Sequence, residues 1–295
     1  MVYHALYNPH ARNGNCEKES RILQIVLDDT FFFKDITTVE NYSSYFATIP
    51  DEEAILICGG DGTLNRFINE AKPFIGNHHV YYYAAGSGND FWRDISGGKE
   101  PEPICIDPYI NNLPQVTVKG KKYYFINGIG YGIDGYCCEK GDEIRAYSDK
   151  PITYTSIAVK GLMFHYKPAN AVVTVDGKKY HYKKVWLAPT MNGRFYGGGM
   201  MPTPNQNRLN EDGLVSAMVM FGSGKLKTLM VFPSIFRGKH IKHSEFVNVH
   251  SGQEIEVEFD RPAALQIDGE TILNVSKYTV SAAHCKTRRE LAYAK

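Results

Sequence analysis

The apolar positions of this chain follow two periods, and the change between them divides it. From Val2 to Ala84, short apolar runs alternate with longer stretches of mixed polarity. Val2 to Tyr7 predicts a strand, and Glu17 to Asp28 an amphipathic helix with Ile22, Leu23, Ile25 and Val26 facing inward. Phe31 to Thr38 predicts a second strand and Tyr42 to Thr48 a short polar helix. Ala54 to Cys58 is an unbroken apolar run, as expected of a strand buried on both faces. The helix after it is capped by Thr63 or Asn65, carries Phe67, Ile68 and Ala71 on one face, and stops at Pro73. Val80 to Ala84 is a further strand. Strands alternating with helices predict a three-layer α/β domain with a parallel sheet, whose ligands sit beyond the carboxyl ends of its strands.

Composition changes near Asp107-Pro108, and from Val116 onward the period falls to two. Val116 to Val118, Tyr123 to Ile126, Ala171 to Val175, His181 to Leu187, Leu214 to Phe221, Glu254 to Phe259 and Ala264 to Ile267 read as short strands. Lys119-Gly120 and Asp176-Gly177 are hairpin signals. Helices of about Ile152 to His165 and Lys225 to Phe236 interrupt an antiparallel β-sandwich or barrel.

Two glycine-rich turns carry the candidate chemistry of the first half. Gly59-Gly60-Asp61-Gly62-Thr63-Leu64-Asn65 lies between a strand and a helix, where unpaired N–H groups without an intervening Cβ can cradle phosphate. Asp61 in such a cradle repels phosphate unless a divalent cation bridges them. No Gly-Lys-Ser/Thr follows, so this is not a Walker A loop, nor is it the Gly-x-Gly-x-x-Gly dinucleotide fingerprint. Gly86-Ser87-Gly88-Asn89-Asp90-Phe91-Trp92-Arg93 follows the next strand, and Asp90 and Arg93, three apart, share one face if a helix begins there.

Across 295 residues, 33 Lys and Arg balance 32 Asp and Glu, which gives no field suited to nucleic acid. The length suits two domains. Six cysteines without a Cys-x-x-Cys spacing or a disulfide framework suit a reducing cytosol. With no secretory leader or transmembrane run, the expectation is a soluble cytoplasmic protein able to visit a membrane surface. The ten histidines form no metal set, and His240 and His243 fall in a basic stretch read as a solvated turn, with contact to anionic headgroups as the alternative.

The two glycine-rich turns together resemble the diacylglycerol kinase catalytic domain family, in particular the small soluble bacterial lipid kinases, and the signature is shared with sphingosine and ceramide kinases. NAD kinases share only the Gly-Gly-Asp-Gly part. Asn127 through Gly132 to Asp134, Asn192-Gly193 with Tyr196 to Gly199 and Pro202, Asp212-Gly213-Leu214, and Asp268-Gly269-Glu270 match further pieces in order, so the likeness spans nearly the whole chain. It implies an α/β nucleotide-binding domain over residues 1–107, a β-rich second domain over 108–277, a cleft between them, and a final segment, 278–295, returning to the first domain.

It also implies an ATP-dependent, Mg²⁺-dependent transfer to a hydroxyl of diacylglycerol or a related lipid at the membrane surface, in phospholipid metabolism, by an enzyme compatible with a homodimer. Gly59, Gly60, Gly62, Thr63 and Asn65 would hold the phosphates, Asp61 the catalytic Mg²⁺, Asn8 and Ser87 would add donors, and Thr37 or Thr38 would meet the nucleoside. A lipid hydroxyl is a weak acid, so a carboxylate must accept its proton. Glu270 ranks first for that role and Asp268 second. The resemblance assigns a structural Mg²⁺ to the Asp212 side chain and the carbonyls of Leu209 and Leu214, linked to the active site through Asp107 and waters. Asp90, Arg93 and Lys160 are its substrate residues. The first loop reads Asn-Pro-His-Ala-Arg-Asn-Gly instead of Asn-Pro-x-Ser-Gly, with Arg12 as its source of positive charge. The competing readings are a soluble-substrate kinase of NAD kinase type and an inactive nucleotide- or lipid-binding regulator.

Overall fold

In the first unit, Met1–Asn111, strand and helix alternate: β1 (Val2–Tyr7), α1 (Cys16–Leu27), β2 (Thr30–Asp35), α2 (Tyr42–Phe46), β3 (Ala54–Gly59), α3 (Asp61–Ala71), β4 (Val80–Ala84), α4 (Asp90–Ser96), β5 (Ile104–Cys105) and α5 (Asp107–Ile110). The structure, a computed structural model, describes residues 1–86, 88–148 and 154–283. The sheet order is β2-β1-β3-β4-β5, parallel throughout except for the antiparallel edge strand β5. All six residues of β3 are buried, the expected fate of an apolar run covered on both faces. The unit runs to Asn111 and so includes α5, whose first turn holds Pro108, where a missing N–H costs nothing.

The α1 face differs from expectation. Of its four apolar candidates only Leu23 is buried, while Ile22, Ile25 and Val26 are 47%, 81% and 70% exposed. The row that faces the sheet is Cys16, Ser20 and Leu23, spaced by four and three. Small side chains let the helix approach closely: Cys16 Sγ donates to the Cys58 carbonyl at 3.3 Å, and the Ser20 hydroxyl donates to the Cys16 carbonyl at 2.7 Å. β2 also stops earlier than expected. The Asp35 carboxylate accepts from both the Thr37 N–H and the Thr37 hydroxyl and turns the chain into a short 3₁₀ segment.

The second unit holds β6 (Gln115–Val118), β7 (Lys121–Tyr124), β8 (Gly128–Tyr131), α6 (Ile133–Arg145), α7 (Tyr154–Lys160), β9 (Ala169–Val175), β10 (Lys178–Val185), β11 (Thr190–Met191), β12 (Val215–Met220), α8 (Lys225–Val231), β13 (Val247–Gly252), β14 (Glu254–Ile267) and β15 (Glu270–Ser281). All of its strand pairs among the described residues are antiparallel, and β14 pairs with β15 on one edge and, on the other, with β9 in its first half and β8 in its last residues. Inward residues such as Phe125, Tyr131, Val173, Val257, Leu265 and Val280 form its sandwich core. The Lys119-Gly120, Asp176-Gly177 and Asp268-Gly269 turns each hold both residues at positive φ, as two-residue hairpins with the twist of the flanking strands require.

Helix α6 escapes the apolar pattern because two glycines interrupt it. A Cβ on Gly135 would lie 1.9 Å from the Ala264 carbonyl oxygen, and one on Gly141 2.8 Å from the Tyr154 ring, so both permit close packing. Tyr278 to Ser281 pair with β6 inside the second unit. The rest of the expected return to the first domain falls on residues 284–295, outside the described residues.

Candidate active site

The first unit brings its two glycine-rich loops into direct contact. A Cβ on Gly86 would stand 2.4 Å from the Gly60 Cα, and one on Gly60 3.1 Å from the Gly86 Cα, so the two backbones meet where no side chain fits. A Cβ on Gly59 would strike the Thr63 side chain at 2.6 Å. Gly62 has nothing within 4 Å and opens outward. The Tyr82 hydroxyl supports the base of the first loop by donating to the Gly59 carbonyl at 3.1 Å. Asn89, at φ 47°, closes the second: its Oδ1 accepts from Gly86 N–H at 3.0 Å, and its Nδ2 donates to the Gly86 carbonyl at 2.9 Å.

Asp61 ties the loops together. Its carboxylate accepts the backbone N–H groups of Asp90 at 2.7 Å and Phe91 at 3.2 Å, so it caps α4 from a different element. The helix α3 starts at Asp61 with Gly60 as its N-cap, so neither Thr63 nor Asn65 caps it. Thr63 instead accepts from Asn8 Nδ2 at 2.8 Å, which joins the first strand's loop to this site despite its altered sequence. Arg12 in that loop is paired with Glu19 at 2.8 Å, an exposed contact that offsets the charge expected of it.

The remaining first-unit candidates divide. Thr37 and Thr38 sit just past the carboxyl end of β2, each bonded to Asp35. Asn65 is buried, with its carbonyl and side chain turned to Asn69. Asp90 is also buried and accepts from Arg93 at 3.2 Å. Ser87 lies outside the described residues. Asp107 is not with the loops: it follows β5 at the opposite end of the sheet, where its carboxylate accepts from Val80 N–H at 2.9 Å and meets His79 Nδ1 at 2.7 Å.

In the second unit the scattered motifs converge on residues 126–128. The Asp268 carboxylate accepts the N–H groups of Ile126, Asn127 and Gly128 at 2.5–2.9 Å. The buried Arg208 guanidinium donates to the Ile126 carbonyl and, at 2.6 Å, to Asn127 Oδ1. Asn192 Nδ2 donates to the Ile126 carbonyl at 3.1 Å. Glu270 opens β15 opposite Ile267 and is exposed, and its carboxylate has no hydrogen-bond partner among the described residues. One turn therefore presents two carboxylates in contrasting states.

Two buried members of this region were missed as site residues. Asp134 Oδ2 accepts from Gln266 Nε2 at 2.9 Å, and Gln266 Oε1 accepts the Gly269 N–H at 2.7 Å, so Gln266 couples Asp134 to the turn. Burial pushes the Asp134 carboxyl up to about 6, against the opposing pull of its Gln266 bond. Arg208 is the other. Its sequence neighbourhood, a polar loop, gave no signal of burial.

Of the expected structural magnesium set, Leu209 and Leu214 line one pocket with Asn210 and Gly213 between them. Asp212 is exposed and Leu209 is 41% exposed, but the Leu214 carbonyl already accepts from Gln206 Nε2 and Asn210 Nδ2, both at 2.8 Å. A carbonyl with two amide donors has both lone pairs occupied. Lys160 ends α7 in an exposed position. His240 is fully buried, with Nε2 at 2.9 Å from the Pro202 carbonyl, and so departs from the solvated-turn reading, whereas Arg237, Lys239 and Lys242 around it are exposed.

Residues 3–115 match the diacylglycerol kinase catalytic domain, and residues 127–282 the YegS C-terminal NAD kinase beta sandwich-like domain. Among curated relatives, a diacylglycerol kinase of Mycobacterium tuberculosis is 24% identical over 214 residues, covering 70% of this chain and 67% of its own. A diacylglycerol kinase of Bacillus subtilis is 22% identical over 228 residues, covering 76% and 73%. Two solved structures from Bacillus anthracis str. Sterne share the fold. One has a TM-score of 0.64 at 19% identity, covering 95% of this chain and 91% of its own. The other, a diacylglycerol kinase, has a TM-score of 0.58 at 16% identity, covering 96% and 94%. An α/β unit with interlocked glycine loops and an antiparallel sandwich with a carboxylate hairpin define a chain of the kinase class. The chain belongs to the diacylglycerol kinase-like lipid kinase family, a family of phosphotransferases.

Proposed function

We propose that this chain transfers the γ-phosphoryl group of ATP to a hydroxyl of diacylglycerol or a related lipid, with Mg²⁺ accompanying the nucleotide. The observation that carries the reading is the interlocked pair of glycine loops, in which Gly59, Gly60 and Gly86 are filled by neighbouring atoms while Gly88 and, at the start of α3, Gly62 open outward. The first N–H groups of a helix have no partner within it and suit a phosphate. Gly62 and Thr63 bind it, with the Asn8–Thr63 bond fixing the threonine hydroxyl.

Asp61 acts first as the post that sets the two loops, through the N–H groups it accepts, and is the first-unit carboxylate nearest a role in holding the cation. When bound, Mg²⁺ supplies charge neutralisation to the phosphates. No part of the reaction is assigned to a second ion at Asp212, Leu209 and Leu214, where the Leu214 carbonyl holds two amide donors. Glu270 takes the proton of the lipid hydroxyl: it is exposed and without a competing bond, whereas Asp268 would have to give up N–H partners to do so. Asp90, Arg93 and Lys160 are substrate contacts by family likeness. No helix among the described residues is long and apolar enough to cross a membrane.

Purified protein incubated with γ-labelled ATP, Mg²⁺ and mixed micelles of separate lipids tests the reading. Label in the organic extract with diacylglycerol, lost with Glu270→Gln, supports it. Label appearing on NAD, or no transfer to any lipid, supports instead a soluble-substrate kinase or a binding protein.

A further inference from the structure

The end of the first unit's sheet opposite the glycine loops carries a cluster that phosphoryl transfer leaves unused. β4 begins at Val80 and the antiparallel edge strand β5 ends at Cys105, with Tyr81 opposite Cys105. Extending that register places His79 opposite Asp107. A ligand atom from each of His79, Cys105 and Asp107 lies within 4.8 Å of the others. Asp107 Oδ2 already meets His79 Nδ1 at 2.7 Å, while its Oδ1 is held by the Val80 N–H at 2.9 Å.

The donor chemistry narrows the ion. An imidazole nitrogen, a thiolate sulfur and a carboxylate oxygen together suit a borderline divalent ion such as Zn²⁺, whereas Mg²⁺ and Ca²⁺ take oxygen ligands. Ligand atoms around a tetrahedral Zn²⁺ stand about 3.4 Å apart, from bond lengths of about 2.0–2.3 Å. The present cluster therefore needs the His79–Asp107 pair to open by less than an ångström. The backbone N–H on the far oxygen of Asp107 is the kind of outer contact that orients a ligating carboxylate. The His79 side chain is 74% exposed, which leaves an entry path and room for water as a fourth ligand.

We propose that His79, Cys105 and Asp107 bind a zinc-like divalent ion through three protein ligands with the fourth position open to water, clamping the edge strand β5 to β4. Cys105 ends β5, Asp107 lies two residues beyond it and His79 immediately precedes β4, so the ion cross-links a two-residue edge strand to its neighbour. The site is independent of the kinase reading and stands or falls on metal binding alone.

The test is a Co²⁺ titration of the chelator-treated full-length protein, reading the sulfur-to-cobalt charge-transfer absorption and the visible d–d bands. Saturation at one equivalent, displacement by Zn²⁺, loss of the charge-transfer band in Cys105→Ser and weakened binding in His79→Ala are expected, with the band retained in Cys138→Ser and Cys285→Ser. His79 is exposed, so its alanine variant reports on the site even if Cys105→Ser fails to fold. Absence of a saturable band, or a band that survives Cys105→Ser and His79→Ala, overturns the assignment.

Discussion

Asp61 and Asp268 each stand beside a glycine in a motif that reads as catalytic, and each spends its carboxylate on backbone N–H groups of a distant segment. They differ in what this leaves behind. Asp61 takes two N–H groups at the start of α4 and so positions one loop against another, leaving Gly62 open. Asp268 takes three successive N–H groups of residues 126–128 from within a hairpin, leaving the glutamate two positions later exposed. A motif thus locates the chemistry, while the hydrogen-bond partners of its residues divide the labour within it.

The sharpest way to break that division is to neutralise the two carboxylates of the second turn separately. Glu270→Gln is expected to lower kcat by about 10²–10⁴-fold, the usual contribution of a positioned base, while moving stability by no more than about 0.5 kcal/mol, as for an exposed side chain. Asp268→Asn is expected to lower stability by about 1–3 kcal/mol, because an amide oxygen cannot satisfy three buried N–H donors. Denaturant unfolding beside lipid-phosphorylation kinetics separates them. If Asp268→Asn proves stable and inactive while Glu270→Gln turns over normally, the assignment of the base is reversed.

In the first unit the equivalent contrast is between Gly86 and Gly62. Gly86→Ala drives a methyl into the Gly60 backbone, where neither side can yield, and is expected to cost about 2–3 kcal/mol as overpacking. Gly62→Ala meets open space inside a helix, so it is expected to stabilise the fold by about 0.5–1 kcal/mol, yet to weaken nucleotide binding by crowding the N–H groups. Thermal unfolding and nucleotide titration of the two variants give opposite signs for Gly62→Ala. Equal losses of stability in both would show that the loops are not interlocked.

Asp134 extends the comparison to a carboxylate that no motif singled out for chemistry. Its folded-state value, raised to about 6 by burial from an ordinary 3.8, means the folded protein holds this proton where the unfolded chain has lost it. The resulting stability is complete below about pH 4 and is lost as pH rises through 6. Asp134→Asn keeps a neutral side chain at every pH. It is expected to flatten unfolding stability between pH 4 and 6 and to leave the variant about 2–3 kcal/mol more stable than the parent above it. A parent whose stability rises across that window would show that the charged form is the favoured one.

Much of the architecture was legible because burial leaves its period in the sequence: β3 as an apolar run, and the hairpins as Lys-Gly and Asp-Gly pairs. The two loops that meet at Gly60 and Gly86 were legible as glycine-rich turns. What the sequence concealed are relations between distant residues, such as the Gly60–Gly86 contact, the grip of Asp268 on residues 126–128, the burial of Arg208, and the two amides that occupy the Leu214 carbonyl. Spacing along one segment carries no information about which other segment supplies its hydrogen-bond partner.

Helix α1 supplies the smallest and most local test of that limit. Its most apolar row, Ile22, Ile25 and Val26, points outward, and the sheet is met by Cys16, Ser20 and Leu23. If apolarity alone chose the buried face, Ile25→Lys would bury a charge and cost several kcal/mol. Because Ile25 is 81% exposed, the substitution is expected to change stability by less than about 0.5 kcal/mol. Ser20→Leu, which adds bulk at a fully buried position of the row that packs inward, is expected to cost about 1–3 kcal/mol. Chemical denaturation of the pair decides which row carries the packing: a large loss from Ile25→Lys with none from Ser20→Leu would turn the helix over.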